Sequence, residues 1–476
     1  MADALVSLGQ STSLQETQAW LRQEVTGAVL QALHDLQHPP DCSTARKLLC
    51  NLNKNCGFGC QIHHVVHCFA QAVALNRTMV LYNVYPSNYI KAPTGWEEVL
   101  QPVTSCGEAN EADAQSLPKL NVKEPKEHSD ADAIVVDVID NGASSYDPPA
   151  MPWDVLEAVQ LFKSRPQIWW VGVLTSYLLR PSSASLARHA AFRASQQWGS
   201  PIVGVHIRRT DKLDMEAKLH QPEEYMTHVE RLCDQRLPSG WQERAMQEQQ
   251  QQEAAGSHAQ HSECSIYLAS DEPAVAAEVR QAYRHIHVIT NDNGLQTSST
   301  KQRYSSGGFA GIYDDIMHLA ACDIIVGTFS SQVSRMAYEV AMVNNTLGAA
   351  DRAFNYHSVD SMWYYGGQVG YTKCAASDYT DKGVAIVKAG QELHCPTVHE
   401  FNAAGYMQCN LSGSGLDVVL PPQLVVDCGS TLLSSSRTFR PILPEGMRRP
   451  AAAAQAAEEQ AEVPHVAATT VASADH

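Results

Sequence analysis

The stretch Pro201-Ile202-Val203-Gly204-Val205-His206-Ile207-Arg208-Arg209-Thr210-Asp211-Lys212 decides the fold. A run of mostly β-branched residues passes straight into a dense charged turn. A buried parallel strand delivers a ligand-binding loop at its carboxyl end in this way. The pattern then repeats downstream. Residues 222–232 read as a helix opened by Pro222, and 265–269 as a strand followed by the turn Ser270-Asp271-Glu272-Pro273. Residues 274–283 read as a helix, 287–290 as a strand, 310–321 as a helix, 323–328 as a strand and 331–343 as a helix. Strands alternating with helices over this length predict an α/β fold with a Rossmann-like, doubly wound parallel sheet.

Working upstream, Leu21, Val25, Ala28, Val29, Ala32, Leu33 and Leu36 recur at helical spacing until Pro39-Pro40. This is a packing helix or the remnant of a coiled-coil stem, and the second reading carries the expectation of a homodimer. Residues 61–75 read as a helix, 78–82 as a strand, 108–132 as an acidic surface loop and 133–138 as a short strand. A long helical region follows, with Trp169 and Trp170 expected in the core. The Gln/Glu-rich segment 236–262 reads as a low-complexity insertion at a surface loop. After Cys374, short pieces at 385–387, 391–393 and 418–420 predict a small β-barrel. The expected divisions are a helical stem over 1–40, an α/β domain with the cysteine cluster over 41–197, and the Rossmann-like domain over 198–370. A β module over 375–430 and a disordered tail over 431–476 complete them.

At 476 residues the chain is too long for one core. Its formal net charge of −17 argues against nucleic-acid binding, which needs a basic surface. Of thirteen cysteines, Cys42, Cys50, Cys56, Cys60, Cys68 and Cys106 are clustered. An even, clustered set reads as a disulfide framework in an oxidising compartment. Zinc is the rival, with His63 and His64 beside Cys56-x3-Cys60. Sequons at Asn76, Asn344 and Asn410 fit secretion. No secretory leader and no apolar run of about 18 residues is read, in tension with the cysteines.

Two strand ends carry candidate chemistry. At Arg208-Arg209, consecutive side chains of an extended chain point to opposite sides, so one guanidinium can grip phosphate while the other pairs with a carboxylate such as Asp211. At Thr328-Phe329-Ser330-Ser331-Gln332, free amides at a helix start favour an anion, with simple capping by Ser330 or Ser331 as the alternative. Neither GxGxxG nor a P-loop is present, so phosphate binding rests on arginine and helix-end donors. Glu216, four residues beyond Lys212, reads as a general base or an exposed ion pair. Asp271-Glu272 suits sugar hydroxyls or ordinary turn chemistry. Asp315 reads as a nucleotide-base acceptor or a loop cap.

These residues resemble the α-1,6-fucosyltransferases that act on the core of asparagine-linked glycans. The blocks are Gly204 to Lys212, Glu224-Tyr225-Met226, Tyr267 to Pro273, Thr328 to Val333, Tyr364 to Gln368, and Asp41 to Cys68. The resemblance implies a GT-B-like glycosyltransferase with a Src-homology-3-like C-terminal barrel, here divergent. It implies that Arg208 holds the β-phosphate of GDP-fucose beside Arg209 and Asp211. His206, Ile312 and Ser331 would line the nucleotide pocket, Asp315 would bind guanine, and Lys54 and Tyr89 would lie near the donor. Glu216 would be the base and Lys212 its assistant, with Asp271, Glu272, Gln332 and His399 on the acceptor glycan. The implied reaction is inverting and metal-independent, with no cofactor, a glycoprotein acceptor and a Golgi setting. The implied disulfides are Cys42–Cys106, Cys50–Cys68 and Cys56–Cys60. Gly327 and Ser334 stand where the family commonly has a further disulfide, and Glu272 replaces an aspartate. The rival readings are a related fucosyltransferase acting on chitin-type oligosaccharides or protein hydroxyls, and a non-catalytic glycan-binding relative.

Overall fold

The computed structural model describes residues 14–54, 56–84, 89–90, 95–120, 130–136, 151–159, 166–196, 198–199, 201–209, 219–254, 262–298, 302–305, 307–343, 356–360, 371–375, 378–381, 384–395, 407–420, 425–427 and 441–447. The chain enters with α1 (Leu14–Gln37), whose Val25, Val29 and Leu33 are buried in the chain's own core. β1 (Lys47–Asn51), α2 (Phe58–Ala74) and β2 (Thr78–Tyr82) follow. α3 (Gly95–Val99) and α4 (Glu111–Ser116) precede β3 (Ala133–Val136). The three strands make a parallel sheet in the order β2-β1-β3. α4 lies within the segment expected as a loop, and it starts on an Asn110–Asp113 capping box. β1, which carries Cys50, lies within the cysteine cluster.

Next come α5 (Trp153–Val159), α6 (Pro166–Leu178) and α7 (Ser183–Ser195), the last capped by Ser182, which accepts from Ser185 N at 3.2 Å. Trp169 and Trp170 are both fully buried, as expected of core residues. The second sheet is built from β4 (Ile202–Ile207), β5 (Ser265–Ser270), β6 (His287–Ile289), β7 (Ile324–Gly327) and β8 (Tyr356–Ser358). It is entirely parallel, in the order β6-β5-β4-β7-β8, with Val203 opposite both Ile266 and Ile324. The order reverses beside β4, and ligands of doubly wound sheets lie at the carboxyl ends of strands at such a reversal. The predicted mixed α/β architecture with parallel sheets is therefore the one observed.

The connecting helices are α8 (Pro222–Arg236), α9 (Trp241–Ala254), α10 (Pro273–Ala282), α11 (Asp292–Thr297), α12 (Gly308–Ala320) and α13 (Gln332–Val343). Proline at the first helical position starts α8 and α10, where its missing N–H costs nothing. α9 corrects the expected surface loop. Its Gln/Glu run has good helix propensity, and Trp241 and Ala245 bury one side of it. Against α13, α6 packs with no space to spare, because a Cβ on Gly172 would fall 2.3 Å from the Glu339 carbonyl oxygen.

The C-terminal strands are β9 (Tyr371–Ala375), β10 (Tyr379–Asp381), β11 (Val384–Val387), β12 (Glu392–Cys395), β13 (Met407–Leu411), β14 (Asp417–Leu420) and β15 (Val425–Asp427). Five of them form an antiparallel sheet, β14-β13-β12-β9-β15, and β10–β11 is a hairpin. Their alternation buries Leu393, Leu411, Val418 and Leu420 in a small separate core. Beyond them, residues 441–447, expected within a disordered tail, return to the first part of the chain. Leu443 is fully buried there, and its backbone N–H donates to Asp154 Oδ2 at 2.7 Å.

Among the described residues the disulfides are Cys42–Cys106, Cys50–Cys68, Cys56–Cys60, Cys233–Cys264 and Cys395–Cys409. The three implied N-terminal pairs are all present. Cys56, Cys60 and His64 do lie within 4.8 Å of one another, but the two sulfurs are bonded together and neither is a free thiolate for zinc. This many disulfides mark a protein of an oxidising, lumenal or extracellular compartment. No helix among the described residues is long and apolar enough to cross a membrane.

His318 sits in an aromatic cage, with ring centroids at 4.3 Å from Phe192, 5.8 Å from Trp198 and 5.2 Å from Tyr267. Neither ring nitrogen has a hydrogen-bond partner among the described residues. Burial, aided by the nearby His189, lowers its pKa to about 3 from an ordinary 6.5. Below 6.5 the unfolded chain takes a proton that the folded ring refuses. The neutral ring's contribution is thus whole above 6.5 and is lost as pH falls toward 3. Urea unfolding should show a loss of about 1 kcal/mol per pH unit across that window. His318→Phe should flatten the slope.

Candidate active site

The carboxyl end of β4 delivers Arg208 and Arg209, and their side chains part company as the extended backbone requires. Arg209 turns toward the protein, where Nη1 lies 3.1 Å from Glu278 Oε2 and 3.6 Å from Glu272 Oε2. Its Nη2 donates to Gln221 Oε1 at 2.9 Å. Arg209 is thus paired internally with Glu278 among the described residues. Arg208 Nε lies 3.8 Å from Asp271 Oδ2, and Asp271 Oδ1 accepts the Arg209 backbone N–H at 2.9 Å. Asp271, at the end of β5, thus buttresses the arginine turn.

Two adjacent carboxylates on α12 have opposite surroundings. Burial works to raise the pKa of Asp314, but hydrogen bonds from Arg188 (2.7 and 2.8 Å) and His189 (2.8 Å) outweigh it and hold the carboxyl below its ordinary value. Asp315 has no cation beside it among the described residues. Its Oδ1 accepts from Tyr267 Oη at 2.6 Å and Asn291 Nδ2 at 3.3 Å, and burial pushes its pKa up to about 7. Gly294 packs against it, since a Cβ there would meet both carboxylate oxygens within 2.7 Å. A carboxylate framed by donors on one oxygen can offer the other to a purine's N–H groups. Ile312, one turn away on α12, is half-buried.

At the junction from β7 to α13, two of the amides ahead of the helix are already taken within the chain. Asp360 accepts from Phe329 N at 2.9 Å and Ser330 N at 3.3 Å. Ser331 does not cap the helix. Ser331 Oγ is buried with no partner among the described residues, which leaves it a hydroxyl for a ligand. His206 Nδ1 lies 2.6 Å from Ser334 Oγ. A Cβ on Gly327 would come within 2.8 Å of that same oxygen, so the two positions where the family commonly has a disulfide are neighbours here. The hydrogen bond to Ser334 fixes His206 beside this closely packed glycine.

From the first sheet, Lys54 lies just beyond the carboxyl end of β1, with its carbonyl held by Gln61 Nε2 at 2.7 Å. Tyr89 stacks edge-on against Phe58 and Tyr304, at 5.7 and 5.0 Å. Burial raises its pKa, and Arg208 is near enough to oppose that rise. Gln332, at the start of α13, meets His63 of α2 through its carboxamide. Glu272 is half-exposed at the start of α10. Asp211, Lys212, Glu216 and His399 lie outside the described residues. Asp360, just beyond β8, was not read from the sequence as a site residue, and His63, on α2, was read only as a zinc candidate.

Residues 2–365 match the family model for alpha-(1,6)-fucosyltransferase N- and catalytic domains. The chain belongs to the alpha-(1,6)-fucosyltransferase family. An alpha-(1,6)-fucosyltransferase of Drosophila melanogaster is 38% identical over 358 residues, which are 74% of this chain and 52% of that protein. One of Caenorhabditis elegans is 31% identical over 361 residues, 75% of this chain and 60% of its own length. The chain therefore spans between half and two-thirds of the length of these relatives. Among solved structures, the NodZ alpha-1,6-fucosyltransferase soaked with GDP-fucose is similar at 16% identity and a TM-score of 0.34, covering 62% of this chain and 92% of that one.

Proposed function

We propose that this chain is a glycosyltransferase that moves fucose from GDP-fucose to the 6-hydroxyl of the innermost N-acetylglucosamine of asparagine-linked glycans. One observation carries the reading beyond family membership. Arg208 follows β4 and Ser331 follows β7, the two neighbouring strands between which the sheet order reverses, and this supports a ligand site there. In the proposed step the acceptor oxygen attacks the fucose anomeric carbon, the bond to the β-phosphate oxygen breaks, and configuration inverts. Glu216, assisted by Lys212, takes the hydroxyl proton, and GDP leaves with its new charge against Arg208. Asp315 accepts from guanine, and His206, Ile312, Lys54 and Tyr89 surround the donor. Asp271, Glu272, Gln332 and His399 face the glycan. Arg208 supplies the positive charge at the leaving group, so the scheme calls for no metal.

The same reading places the protein in the Golgi lumen, with the two parallel sheets as the halves of a GT-B-like enzyme and the antiparallel strands as a divergent Src-homology-3-like module. A homodimer is part of it, although α1 has already committed Val25, Val29 and Leu33 to its own core and cannot offer them to a coiled-coil seam.

The deciding experiment is mass-spectrometric detection of fucose transfer from GDP-fucose to an asparagine-linked glycan ending in N-acetylglucosamine, without added metal. A gain of one deoxyhexose on the innermost sugar, lost in Glu216→Gln, is the expected result. No transfer by folded protein that still binds GDP would sink it in favour of chitin-type or protein-hydroxyl acceptors, or of a glycan-binding relative that has lost catalysis.

A further inference from the structure

We propose that His63 is a positioning residue that orients Gln332 toward the acceptor glycan; this rests on the assignment of Gln332 to the acceptor side. His63 Nδ1 bonds the Gln332 carboxamide, and His63 Nε2 lies 2.7 Å from Glu339 Oε1. The second oxygen of Glu339 accepts from Thr175 Oγ1 at 2.9 Å. All four side chains are buried. The chain of contacts runs from α6 through α13 to α2 and back to the first residue of α13. Its geometry is tight, since a Cβ on Gly59 would fall 2.5 Å from Gln332 Cβ.

A carboxamide has a donating end and an accepting end, and the two are interchangeable until something fixes one of them. Glu339 Oε1 accepts from the Nε2–H, which leaves Nδ1 for Gln332. With a neutral ring, Nδ1 accepts from the amide NH2 and leaves the carbonyl for a sugar hydroxyl. With a charged ring, Nδ1 donates to the carbonyl and leaves the NH2. In either state one end is tied down and the other is presented, so a long polar side chain is already ordered before the glycan arrives. Ordering it during binding would instead weaken acceptor affinity roughly tenfold.

The test is calorimetric titration of the full chain with acceptor glycan in the presence of GDP, beside acceptor and donor KM values. His63→Phe should raise the acceptor Kd and KM roughly tenfold and leave GDP affinity unchanged. In a Gln332→Ala background the same substitution should add nothing. His63→Gln, which can still bridge Glu339 and Gln332, should restore most of the affinity. Should His63→Phe fail to fold, His63→Leu combined with Glu339→Gln removes the buried charge and carries the same expectation. Equal losses for glycan and GDP, or an effect of His63→Phe that persists in full without Gln332, would overturn the proposal. Wild-type protein that binds glycan but transfers no fucose would instead count against the reaction, leaving the binding comparison to judge His63.

Discussion

Alanine at Arg208 is expected to lower fucose transfer by about a thousandfold or more, with the unfolding midpoint little changed. The departing diphosphate gains charge in the transition state, and an arginine aimed at such a group commonly contributes on the order of 10³ to 10⁵ in rate. The stability of β4 comes from Val203, Val205 and Ile207, which are fully buried and independent of the guanidinium. Removing it leaves Asp271 with the Arg209 N–H and a looser turn, a local change. Arg208→Lys should fall between, since an ammonium keeps the charge and loses the two-pronged contact. Initial rates with saturating glycan, read by mass spectrometry, decide the matter. An equally large loss in Arg209→Ala would show that the grip is shared, because Arg209 is engaged with Glu278, Glu272 and Gln221.

Gly172→Ala should destabilise the fold by about 3 kcal/mol, measured by urea unfolding. The added Cβ would lie 2.3 Å from the carbonyl oxygen and 3.0 Å from the carbonyl carbon of Glu339. Both atoms are backbone and cannot rotate aside, so α6 and α13 must separate. Separation also pulls Thr175 and His63 away from the Glu339 carboxylate, and acceptor affinity should fall with stability. The same substitution at Gly27 is the control. Gly27 is exposed in α1 with nothing within 4 Å of a Cβ, and alanine there should stabilise by up to about 1 kcal/mol. A Gly172→Ala protein as stable as wild type would mean that α6 and α13 are less closely packed than described.

Much of the second sheet was legible because β-branched runs such as Ile202 to Ile207 alternate with helices opened by proline, and both signals are local. The arginine turn was legible for the same reason. What escaped depends on partners distant in sequence. The amides of Phe329 and Ser330 looked open because Asp360 lies about thirty residues on. His63 looked like a zinc ligand beside two cysteines, whereas its partners Gln332 and Glu339 are 269 and 276 residues away. The helix α9 hid in a Gln/Glu run because burial of Trp241, not periodicity, anchors it. Strand β1 was masked by its cysteine. The N-terminal disulfide pairs came from resemblance, which carries long-range information that spacing lacks. Cys233–Cys264 and Cys395–Cys409 had no such guide.

The return of residues 441–447 to Asp154 has a consequence for how this protein is made. Leu443 completes a core begun by α1, and it arrives 289 residues after its partner. At ordinary rates of translation that interval is roughly 15 s to a minute. During it the nascent first sheet has its early cystines, such as Cys50–Cys68, as covalent staples, but still exposes the cleft that Leu443 will fill. Final closure of the N-terminal half therefore waits until Leu443 has left the ribosome. Lumenal chaperones have a defined apolar groove to shield until then.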